Sequence, residues 1–139
     1  MEKQGRLLAI DYGARNIGLA YSDELRLLAQ PLPSIPNAGR KELVRRLKAV
    51  IVEFDIREAL LGIPINMDGT RGESVIKMEQ VLETLKKDLK IPLTGVDERL
   101  STIEALEIWQ TMNPRQKKKY RSVDSLAAAL ILERYLKER

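Results

Sequence analysis

The spacing of apolar residues changes along this chain, and each change marks an element. Residues 6–11 (RLLAID) hold four consecutive apolar side chains and stop at an acid, as a short buried strand does. Residues 16–22 alternate, with Ile17, Leu19 and Tyr21 on one face of a second strand. Gly13 between them permits the tight turn of a hairpin. Residues 27–35 read as a third strand, and Pro31 and Pro33 place it at a sheet edge because proline donates no ladder hydrogen bond.

The period then becomes helical. Leu43, Val44, Leu47, Val50, Ile51 and Phe54 share one helix face. Residues 59–63 (ALLGI) form a buried strand closed by Pro64. Thr70 and Glu73 have capping-box spacing, ahead of a helix with Met78, Leu82, Leu85 and Leu89 in one stripe. Residues 92–98 are a further strand. Ser101 and Glu104 make a second capping box, before a helix whose Leu106 and Trp109 are assigned to the core. A basic loop follows, and a last helix runs from about Ser122 to the end. The order βββαβαβαα predicts an α/β domain spanning residues 1–139. Its first three strands form an antiparallel meander, and right-handed crossovers add parallel strands. The sheet is thus mixed and five-stranded, with helices on both faces.

Composition narrows the chemistry. With 139 residues, 44% of them hydrophobic, the chain can bury one real core. It has no apolar run of membrane-spanning length, and its first ten residues do not read as a signal peptide. There is no cysteine, which excludes disulfides and thiolate ligands, and a cytoplasmic location is the simplest expectation. There is also no histidine, which excludes Ser-His-Asp and Cys-His mechanisms and HExxH zinc sites. Any catalysis must therefore rest on carboxylates, lysines, tyrosines or a bound metal. A net charge of +4 favours an anionic partner such as nucleic acid.

Three acids stand out. Asp11 closes the first strand, directly after apolar residues, and either serves a site or pairs with Arg15 across the turn. Glu98 closes the last strand, at the carboxyl end where open α/β sheets build sites, and either faces such a site or pairs with Arg99. Asp97 beside it must face the other way. Asp124 lies in the first turn of a helix that is nearly all apolar from Leu126 to Leu132; the helix dipole alone would favour an acid there. Two like charges about 4 Å apart cost about 4 kcal/mol at an effective dielectric near 20. A cluster of three survives only with a cation, a shared proton or basic partners. Oxygen ligands without histidine or cysteine suit Mg²⁺ or Mn²⁺, and two such ions can activate water and stabilise the leaving oxygen of a phosphodiester.

At these residues the sequence resembles the YqgF/RuvX family of pre-16S rRNA nucleases and Holliday junction resolvases, over nearly its whole length. Residues 11–18 (DYGARNIG) are similar to the family's opening DxGxxxxG segment, 62–70 (GIPINMDGT) to GLPLNMDGT, and 97–102 (DERLST) to DERLST. Asp124 with Ala127, Ala128, Ile131, Leu132 and Tyr135 is similar to its closing helix. Ala14 and Arg15 depart from a common Thr-Lys pair. The resemblance implies a ribonuclease-H-like fold and carries the catalytic, metal-binding roles onto Asp11, Glu98 and Asp124, with two Mg²⁺ or Mn²⁺ ions when substrate is bound. In the wider superfamily an acid often ends the fourth strand. None does here, and Asp68 is the reserve ligand.

Residues 112–122 (MNPRQKKKYRS) carry five basic residues, Arg115, Lys117, Lys118, Lys119 and Arg121, and no acid. They suit phosphate contacts, and Tyr120 suits base stacking, although a solvated loop would look the same. Arg15, Arg71 and Arg99 flank the motifs as further phosphate contacts or as partners for acids. The leading expectation is a metal-dependent nuclease acting on structured precursor ribosomal RNA, as monomer or homodimer. The alternatives are a resolvase cutting branched DNA, an actin-like phosphate-binding fold, which needs two domains, and a non-catalytic nucleic-acid-binding module.

Overall fold

The computed structural model describes residues 4–64, 72–98 and 101–138. Five strands form one sheet: β1 (Arg6–Tyr12), β2 (Asn16–Ser22), β3 (Ala29–Pro36), β4 (Ile56–Ile63) and β5 (Leu93–Asp97). Their order is β3-β2-β1-β4-β5. β1 pairs antiparallel with β2, and β2 with β3; β1–β4 and β4–β5 are parallel. This is the mixed sheet that the hydrophobic pattern predicts, and the proline-bearing β3 is an edge strand, as required.

The helices are α1 (Arg40–Glu53), α2 (Glu73–Leu89), α3 (Ser101–Thr111), α4 (Pro114–Tyr120) and α5 (Val123–Glu138). Strand alternation sorts the core into two layers. Leu8 and Ile10 of β1 join Leu43 and Leu47 of α1 and Met78 and Leu85 of α2. Leu7 and Ala9 face the other way, against Ala128, Ala129, Ile131 and Leu132 of α5. The alanines let α5 lie close to the sheet, and its buried stretch runs from Ser125 to Ala129 without a break.

Three local expectations are corrected. The basic segment after α3 is a helix, α4. Asn113 accepts from the Gln116 N–H at 2.9 Å, its own N–H donates to Gln116 Oε1 at 3.0 Å, and Pro114 takes the first helical position. This is a capping box spelled Asn-Pro-x-Gln, so three lysines in a row did not prevent a turn of helix. Helix α2 begins at Glu73 with Gly72 as its N-cap, which makes Glu73 the first helical residue and not the third of a box with Thr70. Thr70 itself lies outside the described residues. Leu106 is 48% exposed and is not core, whereas Trp109 packs partly buried against Ala105, Leu126 and Ala127.

Candidate active site

Side-chain parity puts two acids on one face, and helix α5 brings a third to it. Asp11 follows Leu7 and Ala9 on the α5 side of β1, and Glu98 follows Val96 on the α5 side of β5. Glu98 stands one residue past β5, where its N–H still donates to Ile63 O at 3.1 Å. Asp97 faces away and is exposed, while Glu98 is only 7% exposed. Asp124 is the second residue of α5, half-buried at the same edge.

Two glycines make this convergence possible by being small. Gly18 is the ladder partner of Asp11, and a Cβ there would lie 2.0 Å from the backbone oxygen of Asp124. The first turn of α5 therefore rests on β2 beside Asp11. Gly62 performs the same task for Glu98: a Cβ would lie 2.7 Å from Glu98 Oε2. The end of β4, which lacks an acid of its own, is thus covered by the carboxyl group that β5 delivers.

The first turn of α5 is fixed by two serines that pattern reading passes over. Ser122 Oγ accepts from the Ser125 N–H at 3.1 Å, the N-cap bond of the helix. Ser125, fully buried, donates its hydroxyl to Leu32 O of β3 at 2.5 Å. Asp124 lies between them. The sequence signal available was a serine three residues from a serine at a helix start; the partner on β3 is 93 residues away and has no local signature.

The acids stand in a poorly hydrated, mutually repulsive setting. Burial pushes Asp11 above its usual carboxylate range; a hydrogen bond with Glu98 opposes this, and the charge of Asp124 adds to it. Glu98 is pushed up to about 9, first by burial, then by its hydrogen bond to Asp11, then by the charges of Asp11 and Asp97. Asp124 is raised by burial, partly offset by its own backbone N–H. These shifts favour the protonated form of Glu98 beside Asp11. A shared proton is one of the three ways such a cluster can persist. Were Glu98 ionised, its Oε2 would be a buried oxygen with no hydrogen-bond donor.

This donor set fits a hard cation. Asp11 and Glu98 lie against each other, and among the described residues no three acids are grouped closely enough to hold a metal ion together. Mg²⁺ needs no such grouping, because it keeps several waters and takes one or two carboxylates. Glu98 Oε2, buried with no hydrogen-bond partner, is available as a ligand once a cation displaces the proton of that carboxyl.

The basic residues expected to hold substrate fall in different places. Arg115, Lys118, Lys119 and Arg121 are exposed on and just after α4, and Lys117 and Tyr120 are half-buried. Lys117 Nζ stands 5.5 Å from the Trp109 ring centroid and Lys119 Nζ 5.5 Å from that of Tyr120. Arg15 is exposed at the β1–β2 turn, and the side chains that shift the acidity of Asp11 are two acids, not Arg15. Arg71, Arg99 and Asp68 lie outside the described residues.

A mixed sheet of this order is a ribonuclease-H-like fold. The Holliday junction resolvase of fowlpox virus shares the fold, with a TM-score of 0.57 at 11% identity over 96% of this chain and 99% of that one. RuvC of T. thermophilus, solved with a Holliday junction substrate, gives 0.52 at 16% identity over 97% and 96% of the two chains. The chain belongs to the RuvX family, described as Holliday junction resolvase, whose profile matches residues 5–138. Its relatives include proteins described as "Putative pre-16S rRNA nuclease" from Dictyoglomus thermophilum, 37% identical over 94% of both chains, and Lactobacillus acidophilus, 38% identical over 94% of this chain and 95% of that one.

Proposed function

We propose that this protein is a divalent-metal-dependent nuclease that hydrolyses phosphodiester bonds in precursor 16S rRNA at its 5′ end. The observation that carries the reading is the convergence of Asp11, Glu98 and Asp124 at one sheet edge, on the α5 side, with a buried oxygen of Glu98 that has no hydrogen-bond partner. The descriptions of relatives 35–38% identical across nearly the whole chain supply the substrate.

In this reading Asp11, Glu98 and Asp124 hold Mg²⁺ or Mn²⁺. When bound, such ions lower the pKa of a coordinated water and offset charge on the leaving oxygen. The chain contributes the rest. Asp11 is fixed by its place in the β1–β2 ladder, and Glu98 is held over Gly62 and gives up its proton when a cation replaces it. Asp124 is oriented by the anchored first turn of α5. Arg15 and the α4 cations Arg115, Lys117, Lys118, Lys119 and Arg121 hold phosphates away from the reacting bond, with Arg71 and Arg99 assigned the same role. Tyr120 stacks on a base. No described helix is long and apolar enough to cross a membrane, and we place the protein in the cytoplasm as monomer or homodimer.

The second reading, cleavage of four-way DNA junctions, is favoured by the description of the family and by the fold shared with RuvC. It requires two symmetric active sites. Parallel cleavage of a precursor 16S rRNA fragment and a four-way DNA junction, with Mg²⁺ or Mn²⁺, decides between them. RNA cutting that Asp11→Asn removes supports the first reading. Paired symmetric nicks in the junction replace it with the second, and cleavage of neither leaves a binding module.

A further inference from the structure

Tyr12 follows Asp11 in β1 and therefore points to the opposite face of the sheet, toward α1 and α2. There it lines a cavity of about 230 Å³ with Leu43, Val81 and Leu85. Arg40 and Lys77 stand at the same cavity. A second hollow of about 440 Å³ adjoins it, lined by Arg40, Lys41, Val44, Lys48 and Asp88. Arg40 lines both hollows, which lie along α1 and α2 on the face opposite Asp11.

The lining of these two hollows carries four cations, Arg40, Lys41, Lys48 and Lys77, and one acid, whereas the neighbouring hollow that shares Gln80 and Thr84 carries Glu79 and Glu83. The one acid, Asp88, is engaged by Arg40 at 3.0 Å. Lys41, Lys48 and Lys77 are exposed and, among the described residues, make no ion pair. Lys41 and Lys48 are seven residues apart on one helix, which separates them by roughly 10 Å along its axis. That distance spans a few nucleotides of a strand. Like-charged lysines around a groove repel one another unless an anion joins them. The floor, by contrast, is an aromatic ring with aliphatic side chains, which a phosphate alone would not use. Cations along a groove with an aromatic floor are the chemistry of single-stranded nucleic acid, whose unstacked bases are free to leave the strand.

We propose that the α1–α2 groove binds a single-stranded flank of the substrate, its phosphates on Lys41, Lys48 and Lys77 and a base against Tyr12. The α4 cations and the acids lie on the α5 side, so a strand held in the groove reaches the acids by passing around the carboxyl end of β1. The substrate class is then a nucleic acid with a single-stranded segment next to the cleaved bond. This rests on the nuclease reading for its biological meaning and not for its measurement.

The test is fluorescence anisotropy in chelator, so that nothing is cut. The probes are a labelled single-stranded oligouridylate and a blunt RNA duplex of equal length. Lys41, Lys48 and Lys77 are replaced together by Gln; all three are exposed, and an unchanged melting temperature verifies the fold. The expected result is a salt-dependence slope for the single strand lower by about 2, from three contacts at about 0.7 each, with affinity down about tenfold. The duplex slope should change much less. An unchanged single-strand slope overturns the groove, and an equal change for the duplex overturns the single-strand assignment. If the wild type proves not to cleave while the slope difference stands, it is the nuclease reading that has failed and not the groove.

Discussion

Gly62 lies directly beneath the carboxyl group of Glu98, so that a Cβ on Gly62 would stand 2.7 Å from Oε2 and 2.8 Å from Cδ. The same Cβ would also stand 3.0 Å from Ile131 Cδ1 of α5. We expect Gly62→Ala to displace the Glu98 carboxyl from Asp11. The overpacking itself should cost about 1–3 kcal/mol of stability, visible in denaturant unfolding. Cleavage should fall much further than that loss explains, because a ligand has moved.

The shared proton between Glu98 and Asp11 makes stability pH-dependent. Glu98 titrates near 4.5 when unfolded and is pushed up to about 9 by burial and by Asp11. Between those values the folded state binds the extra proton, so metal-free stability must fall as pH rises from about 4.5 toward 9. Glu98→Gln keeps a donor toward Asp11 and removes that dependence. In chelator at pH 8 the variant should melt a few degrees above wild type, whereas at pH 4 the two should agree.

Asp11→Asn should leave the fold intact and reduce cleavage by about a thousandfold, the scale of losing several kcal/mol of transition-state charge stabilisation. Mn²⁺ should raise the melting temperature of the wild type and not of this variant. Cleavage at the wild-type rate would remove Asp11 from the metal site.

Replacing Lys117, Lys118 and Lys119 of α4 by Gln should weaken binding of RNA and lower its salt-dependence slope by about 2–3. Metal-induced stabilisation should be unchanged, since these side chains are outside the acid cluster. An unaltered slope across a salt series would count against α4 as a phosphate surface.

Ser125→Ala leaves Leu32 O without its buried partner and should cost about 1–3 kcal/mol. Because the same bond holds the first turn of α5 to β3, the variant should also need more metal for half-maximal activity. A purely structural bond would lower stability and leave the metal dependence where it was.

Much of this was already written in local pattern. Alternation and helical period located five strands and the long helices, prolines marked the edge strand, and the absence of histidine and cysteine confined the chemistry to oxygen ligands. Parity even separated Glu98 from Asp97, because a strand turns successive side chains to opposite faces. Helix α4 is not legible in the hydrophobic pattern because its signal is an Asn113–Gln116 cap beneath a run of lysines that resembles solvated loop.

What only tertiary structure decided is contact between segments far apart in sequence. Nothing around Gly18 announces that Asp124 passes against it, and nothing around Gly62 that Glu98 fills its missing side chain. Local sequence could name three acids but not set the proton between two of them, since that depends on how much water the packed helix and sheet exclude. Short-range chemistry determined which residues were able to serve a site; close packing of α5 on the sheet, through two glycines and a buried serine, determined that they come near one another.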